Sequence, residues 1–293
     1  MSDTLHILAC QITIPPTPTV AARDAHLARV AQDVRSHLAQ SPADLVVLPE
    51  LASIDYSREA FANLGALAEP LDGMSFTTWS AVAQEFGVTI AYGFARADGS
   101  SHYISVAAVG PDGALMGHYD KLHLAQYGAS MEKEYFSRGD HLLVLDVQGF
   151  RVAPIICYDI RIPELSRTLV VDHGVDAILH CGAYYRDPSF HTWHDFVTSR
   201  ALENQCYFLS LNRAGAHYGQ SVFCHPWHDE TKGPSVFPAH DEAFLRFTAS
   251  RAEIERVRDT YSFLRDRLPS YNLPVSGPSA PASVSPQPMV SDA

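Results

Sequence analysis

The chain has 293 residues, 46% of them hydrophobic and 18% charged, which is enough to bury a full core and reads as globular rather than disordered. A formal charge of −12 excludes a phosphate-tracking surface, so no nucleic-acid partner is expected. No apolar run nears the roughly 20 residues of a membrane span, so no membrane role is expected either. The N-terminal MSDTLHILACQ lacks a basic region ahead of a long apolar stretch, so no signal peptide is expected. The five cysteines are odd in number and widely spread. Four lie in apolar, strand-like surroundings, which suits reduced thiols and a cytoplasmic location better than a disulfide scaffold.

In chain order, Leu5 to Cys10 reads as a strand. From Val20 to Gln40, the apolar positions Leu27, Val30, Ala31, Val34 and Leu38 follow helical spacing. Asp44 to Leu48 is a short buried strand ending at Pro49-Glu50. Ser75 is expected to cap a helix that runs to Phe86 and stops at Gly87. Val88 to Ala95 and Tyr103 to Val109 read as strands, with a turn at Pro111-Asp112-Gly113. His141 to Val147 and Phe150 to Ile156 read as two more. Pro163 suits the first turn of a helix. Strands at Asp176 to Cys181 and Cys206 to Leu211 flank a helix whose face carries Phe190, Trp193, Val197 and Ala201. Ala243 to Ala249 reads as the last strand. The alternation predicts an α/β fold with helices packed on sheets. From Leu268 the composition turns to Pro, Ser and Ala, and 273–293 is expected to be a disordered tail after one domain over 1–272.

Four separated stretches set a Glu, Lys or Cys after or beside an apolar run: VVLPEL, YDKLHL, EKEYFSRGD and IICYDIRIPEL. Cys157 follows a buried run and precedes a helix start, on the rim where α/β proteins place chemistry. Backbone N–H groups there favour a thiolate. Taken alone, it also reads as a buried structural cysteine. A carboxylate such as Glu50, drawn into a partly apolar setting, suits general-base work. Its plain reading is a loop or helix-start charge. Lys121 could stabilise thiolate and oxyanion, or could be an ordinary solvated lysine. Glu132 and Glu134 compete within one charged segment. Fifteen histidines raise the question of a metal. The pairs His191/His194 and His225/His228 have ligand-like spacing, but neither lies in a recognised zinc motif, and no metal is expected. A Cys157–His180 dyad stays open.

Together, over residues 4–272, these segments resemble the nitrilase superfamily of carbon–nitrogen hydrolases. The resemblance implies a four-layer α-β-β-α sandwich, Glu50 as general base, Lys121 as the family's lysine, Glu132 rather than Glu134 as the second, positioning carboxylate, and Cys157 as nucleophile. It further implies an oxyanion contact from the Tyr158 backbone N–H and an acyl-pocket role for Tyr56. The later stretches SRALENQCYFLSLNR, Gly219-Gln220-Ser221 and VRDTYSFLRDRLPSY agree. Nitrilases proper carry Cys-Trp-Glu at the nucleophile. Cys157-Tyr158-Asp159 resembles the amidase-type branch that contains omega-amidases. Pro226-Trp227-His228 departs from the family's Pro-Trp-Gly. The implied function is hydrolysis of a small-molecule amide through a cysteine thioester, without cofactor, in a homodimer or higher homo-oligomer. N-carbamoyl compounds or nitriles are alternative substrates within the family, and a catalytically silent binding or scaffold protein is the alternative of another class.

Overall fold

The computed structural model describes residues 2–274 and 276–277. The tail expected over 273–293 therefore lies, at 275 and from 278 on, outside the described residues. Two six-stranded sheets form the centre. In the first, β1 (Thr4–Gln11), β2 (Leu45–Val47) and β3 (Thr89–Asp98) run parallel; β4 (Ser101–Val109) and β5 (Leu115–Asp120) extend one side and the late strand Ala243–Ser250 covers the other, all three antiparallel to their neighbours. In the second, β6 (Leu145–Val147) pairs antiparallel with β7 (Phe150–Ile156), which runs parallel to β8 (Ala177–Cys181) and β9 (Tyr207–Leu211); β10 (Val222–Cys224) and β11 (Ser235–Val236) finish that sheet. The late strand is β12.

The layering follows from strand alternation. Leu5, Ile7 and Ala9 of β1 meet Val152, Ile156, Leu179 and Leu209 in a core between the sheets. Leu8 and Cys10 face the other way, onto α1 (Val20–Gln40) and α4 (Met74–Phe86). Ala153, Ile155 and Ile178 pack likewise on α5 (Pro163–Val171) and α6 (Phe190–Asn204). The central strands are buried on both faces, which is why they read as nearly unbroken apolar runs. The result is the expected α-β-β-α sandwich.

Several local expectations need correction. The helix starting near Ser75 has Gly73 as its N-cap, and the Ser75 N–H and hydroxyl donate instead to the buried Glu69 at 2.7 and 2.6 Å. Only Leu145–Val147 of the run from His141 pairs as a strand. Leu142, Leu143 and Val144 bury apolar side chains without ladder bonds. Two short helices, α2 (Arg58–Ala62) and α3 (Leu64–Leu67), follow the Glu50 segment, and α7 (Arg251–Thr260) follows β12. The edge strand β5 went unread because its first half is largely exposed.

The sheets present three chain turns at strand ends. Glu50 lies just past β2, Lys121 directly follows β5, and Cys157 directly follows β7. Both β2 and β7 belong to parallel sets, and carboxyl ends of such strands are the usual ligand-binding edge. The Glu50 turn is packed so closely on β3 that a Cβ on Gly93 would stand 2.2 Å from the Pro49 carbonyl oxygen and 2.8 Å from the Leu51 nitrogen. Gly93→Ala is therefore expected to cost about 1–3 kcal/mol by overpacking and to displace Glu50. Denaturant midpoint and activity measured together check this, and a variant matching the parent in both contradicts it.

Candidate active site

Lys121 and the two carboxylates meet in a fully buried cluster. The Lys121 Nζ donates to Glu50 Oε1 at 2.8 Å and to Glu132 Oε1 at 2.7 Å, and all three residues are 0% exposed. Tyr56 adds a hydroxyl donor to Glu132 Oε1 at 2.9 Å, and the Ala125 N–H donates to Glu132 Oε2 at 2.8 Å. Both Glu132 oxygens are thus engaged. Glu50 Oε2, in contrast, is buried and has no hydrogen-bond partner among the described residues. Burial works against the Lys121 charge, but Glu132 and Glu50 outweigh it and hold the ammonium well above the usual lysine range. Burial lifts the Glu132 carboxyl above its ordinary value; Lys121 pulls it down and Glu50 adds to the rise.

Glu134, two residues on, takes no part. It lies at the surface in a two-point ion pair with Arg58 at 2.7 and 3.2 Å. The tight 3-10 turn Glu132–Glu134 turns the first carboxylate inward and the second outward.

Cys157 opens a second 3-10 turn, Cys157–Arg161, with φ of +44°, a left-handed conformation rare for a residue with a side chain. The turn is clamped from below. Asp159 is fully buried, and its carboxylate accepts from the Ile156 N–H at 2.9 Å, the Tyr119 hydroxyl at 2.8 Å and the His123 N–H at 3.0 Å. The Cys157 carbonyl accepts from Tyr184 Oη and His180 Nε2, each at 2.9 Å. Since a carbonyl can only accept, His180 carries its proton on Nε2, and its Nδ1 accepts from the Ser210 hydroxyl at 2.6 Å. Trp193 Nε1 donates in turn to Ser210 Oγ at 2.9 Å. His180 therefore grips the backbone of the nucleophile segment. That removes the Cys157–His180 dyad left open above: both ring nitrogens are engaged elsewhere, and burial pushes the imidazole down to about 4.

The thiol itself is not poised as a thiolate. Burial and the nearby Glu50 charge push it well above its usual range, and Lys121 and the Ala183 N–H offset this only in part. A base is needed to take its proton. Cys157 lines a pocket of about 210 Å³. Tyr56, Tyr127, Tyr184, Tyr185 and Tyr218 line the same pocket, and Asp187 is its one other ionisable side chain. Tyr56 thus borders both pocket and cluster. The Tyr158 ring packs near Tyr127, with centroids 5.6 Å apart. Its N–H stands in the first turn of the 3-10 segment, where a helix supplies no acceptor of its own.

Residues that the sequence reasoning did not single out complete the frame. Arg213 is buried and donates to the carbonyls of Glu50 (3.1 Å), Leu51 (3.0 Å) and Ile54 (3.0 Å). It holds the Glu50 turn, in which Leu51 has φ of +47°. The sequence carried two signals for it: it ends the family-like stretch SRALENQCYFLSLNR, and it lies directly after the buried run ending at Leu211-Asn212, the same position relative to a strand that singled out Glu50. His194 Nε2 lies 2.7 Å from the Gln220 carbonyl, and among the described residues no group of three or more His, Cys, Asp or Glu side chains could hold a metal ion. No helix among them is long and apolar enough to cross a membrane.

Comparison with known proteins bears on this geometry. The sequence model of the carbon-nitrogen hydrolase family matches residues 8–236. The chain belongs to that family. A hydrolase encoded in the pqqF 5′ region of Pseudomonas protegens is 32% identical over 87% of each chain. The omega-amidase YafV of Escherichia coli is 31% identical over 76% of this chain and 84% of its own. An (R)-stereoselective amidase of a Pseudomonas species is 30% identical over 76% and 79%. Among solved structures, a family member from Xanthomonas campestris with an arsenic adduct in its active site superposes with a TM-score of 0.78 at 24% identity, covering 94% of this chain and all of that one. Nit3 of Saccharomyces cerevisiae gives 0.77 at 23%, covering 89% and 95%. These two share the fold, a nitrilase-superfamily sandwich.

His180 also makes the site sensitive to acid. Its pKa is depressed in the folded chain, so its share of stability is fully present above the ordinary 6.5 and is lost as pH falls through about 4. At about 1.4 kcal/mol per unit, the loss comes to roughly 3 kcal/mol across that window. Buried His26, also pushed down to about 4, acts in the same direction. Urea unfolding across this range should show stability falling with pH. His180→Asn should flatten the slope, and an unchanged slope would refute the assignment.

Proposed function

We propose that this chain hydrolyses a linear small-molecule amide to a carboxylate and ammonia through a thioester on Cys157. The observation that carries the reading is the asymmetry of the cluster: Glu132 has every oxygen engaged, while Glu50 keeps one buried oxygen free. A buried acceptor without a donor costs stability, and a substrate or thiol proton would satisfy it.

The steps follow. Glu50 Oε2 takes the Cys157 thiol proton, which the raised thiol would not release unaided. The thiolate attacks the amide carbonyl and a carbon–sulfur bond forms. An ammonium has three N–H donors, and Lys121 has spent two on the glutamates. The third, with the Tyr158 N–H, meets the developing oxyanion. The carbon–nitrogen bond breaks as Glu50 returns the proton to the leaving ammonia. Water, deprotonated by Glu50, then cleaves the thioester, and the proton passes back to sulfur. Glu132 fixes Lys121 and Tyr56. The amidases among the similar proteins support an amide as substrate. We assign the working form to a homodimer or higher homo-oligomer on the family resemblance, and to the cytoplasm on the five unpaired cysteines.

Cys157→Ala should abolish ammonia release from a panel of small amides while the melting temperature holds. Glu132→Gln should be severely impaired, by on the order of 10²–10³ if Lys121 loses its place at the oxyanion. Glu134→Gln should be nearly silent. Exhaustive chelation should leave activity intact and a thiol alkylator should remove it. An active Cys157→Ala sinks the covalent scheme, and an inactive Glu134→Gln beside an active Glu132→Gln reassigns the second carboxylate.

A further inference from the structure

The pocket above Cys157 carries a charge that the bond-breaking scheme does not use. Asp187 lines it between β8 and α6. Its Oδ1 accepts from the Ser189 N–H and Ser189 hydroxyl, both at 2.7 Å. It forms no ion pair among the described residues. The adjacent Arg186 points its guanidinium elsewhere, donating to the carbonyls of Tyr218 at 2.9 Å and Ala239 at 2.8 Å and packing over Phe190. No Lys or Arg lines the pocket.

Beneath the floor, Glu50 and Glu132 share a single ammonium, so that cluster also carries an excess of negative charge. Five tyrosines make up the aromatic wall. Aromatic rings and an unneutralised carboxylate are the two elements by which proteins hold ammonium groups. Arg161 is the cation that could oppose this. It sits outside the lining, with its guanidinium over the rings of Tyr127 at 5.6 Å and Phe196 at 5.1 Å, and its Nε and Nη2 are buried without partners.

We propose that Asp187 is a specificity-determining residue that selects amides whose acyl chain bears an ammonium group and disfavours those bearing a carboxylate. The proposal rests on the amidase reading above and narrows it to a substrate class. A carboxylate on the substrate would face Asp187 and the cluster's excess charge at once; an ammonium would be attracted by both, in a pocket where water screens them less than at an open surface.

The test compares kcat/KM for β-alaninamide, butyramide and succinamate near neutral pH. These three have matched chains ending in ammonium, methyl and carboxylate. The expected order for the parent protein is β-alaninamide, then butyramide, then succinamate, with the first preference shrinking as salt is raised. Asp187→Asn keeps the oxygen that accepts from Ser189 and removes only the charge. It should lower the ratio of β-alaninamide to butyramide on the order of tenfold. If that variant does not fold, the parent's ranking and its salt dependence decide the matter.

A parent that prefers succinamate overturns the proposal and points to Arg161 as the reader of substrate charge. A ratio within about twofold of the parent's in a folded Asp187→Asn also overturns it, leaving Asp187 as a turn residue only. A protein that releases no ammonia from these or any other amide fails differently: it removes the amidase reading, and this inference with it.

Discussion

One ammonium shared by two buried carboxylates governs the rest of this molecule. Removing three charged groups from water is costly, and attraction offsets the cost only when geometry is good and the remaining lone pairs are occupied. Here Tyr56 and the Ala125 N–H occupy those of Glu132, and Lys121 bridges the pair at 2.7 and 2.8 Å. One oxygen of Glu50 is left over. That gap is the chemical capacity of the site. A network satisfied throughout would be a structural element; with one buried carboxylate oxygen left unpartnered, it presents a base of fixed position. Burial, with the same negative charge adding to it, holds the Cys157 thiol well above its usual range, so nucleophile and base act as a unit.

The surrounding fold holds that arrangement against backbone strain. Cys157 and Leu51 both sit in left-handed backbone, at +44° and +47°, each next to a residue the chemistry needs or being that residue. Such conformations persist only where neighbours over-determine them. At Cys157 the neighbours are His180, Tyr184 and the Asp159 clamp. At Leu51 they are Arg213, which holds the carbonyls of Glu50, Leu51 and Ile54, and the close approach of Gly93. The two turns belong to different sheets, and Arg213, just beyond β9 of the second sheet, reaches the Glu50 turn at the edge of the first. It ties the base to the half of the molecule that carries the nucleophile.

Much of this was legible in the sequence, for identifiable reasons. Central strands buried on both faces leave unbroken apolar runs, so the positions of β1, β2, β7 and β8 could be read within a residue or two, and with them the turns bearing Glu50 and Cys157. Pairing of distant segments leaves no such trace. Arg213 meets Glu50 across 163 residues, and His180 reaches the Cys157 carbonyl across 23, through bonds that no local pattern encodes. The choice between Glu132 and Glu134 depended on the family resemblance, because two carboxylates in one short turn differ only in the direction they face. The cap expected at Ser75 failed because a buried glutamate six residues back, Glu69, competed for its hydroxyl and N–H. The half-exposed β5 and the polar α7 lack the apolar runs that mark a core element.

The central claim is that Glu50, through its unpartnered oxygen, moves the protons for a covalent reaction at Cys157. Rapid-quench mass spectrometry of the intact chain with a turned-over amide tests it most directly. The account predicts an acyl adduct on Cys157 in the parent protein and almost none in Glu50→Gln, whose fold and alkylatable thiol are otherwise retained. An adduct that forms at the parent's rate in Glu50→Gln, or turnover by the parent with no adduct at any time, would contradict it.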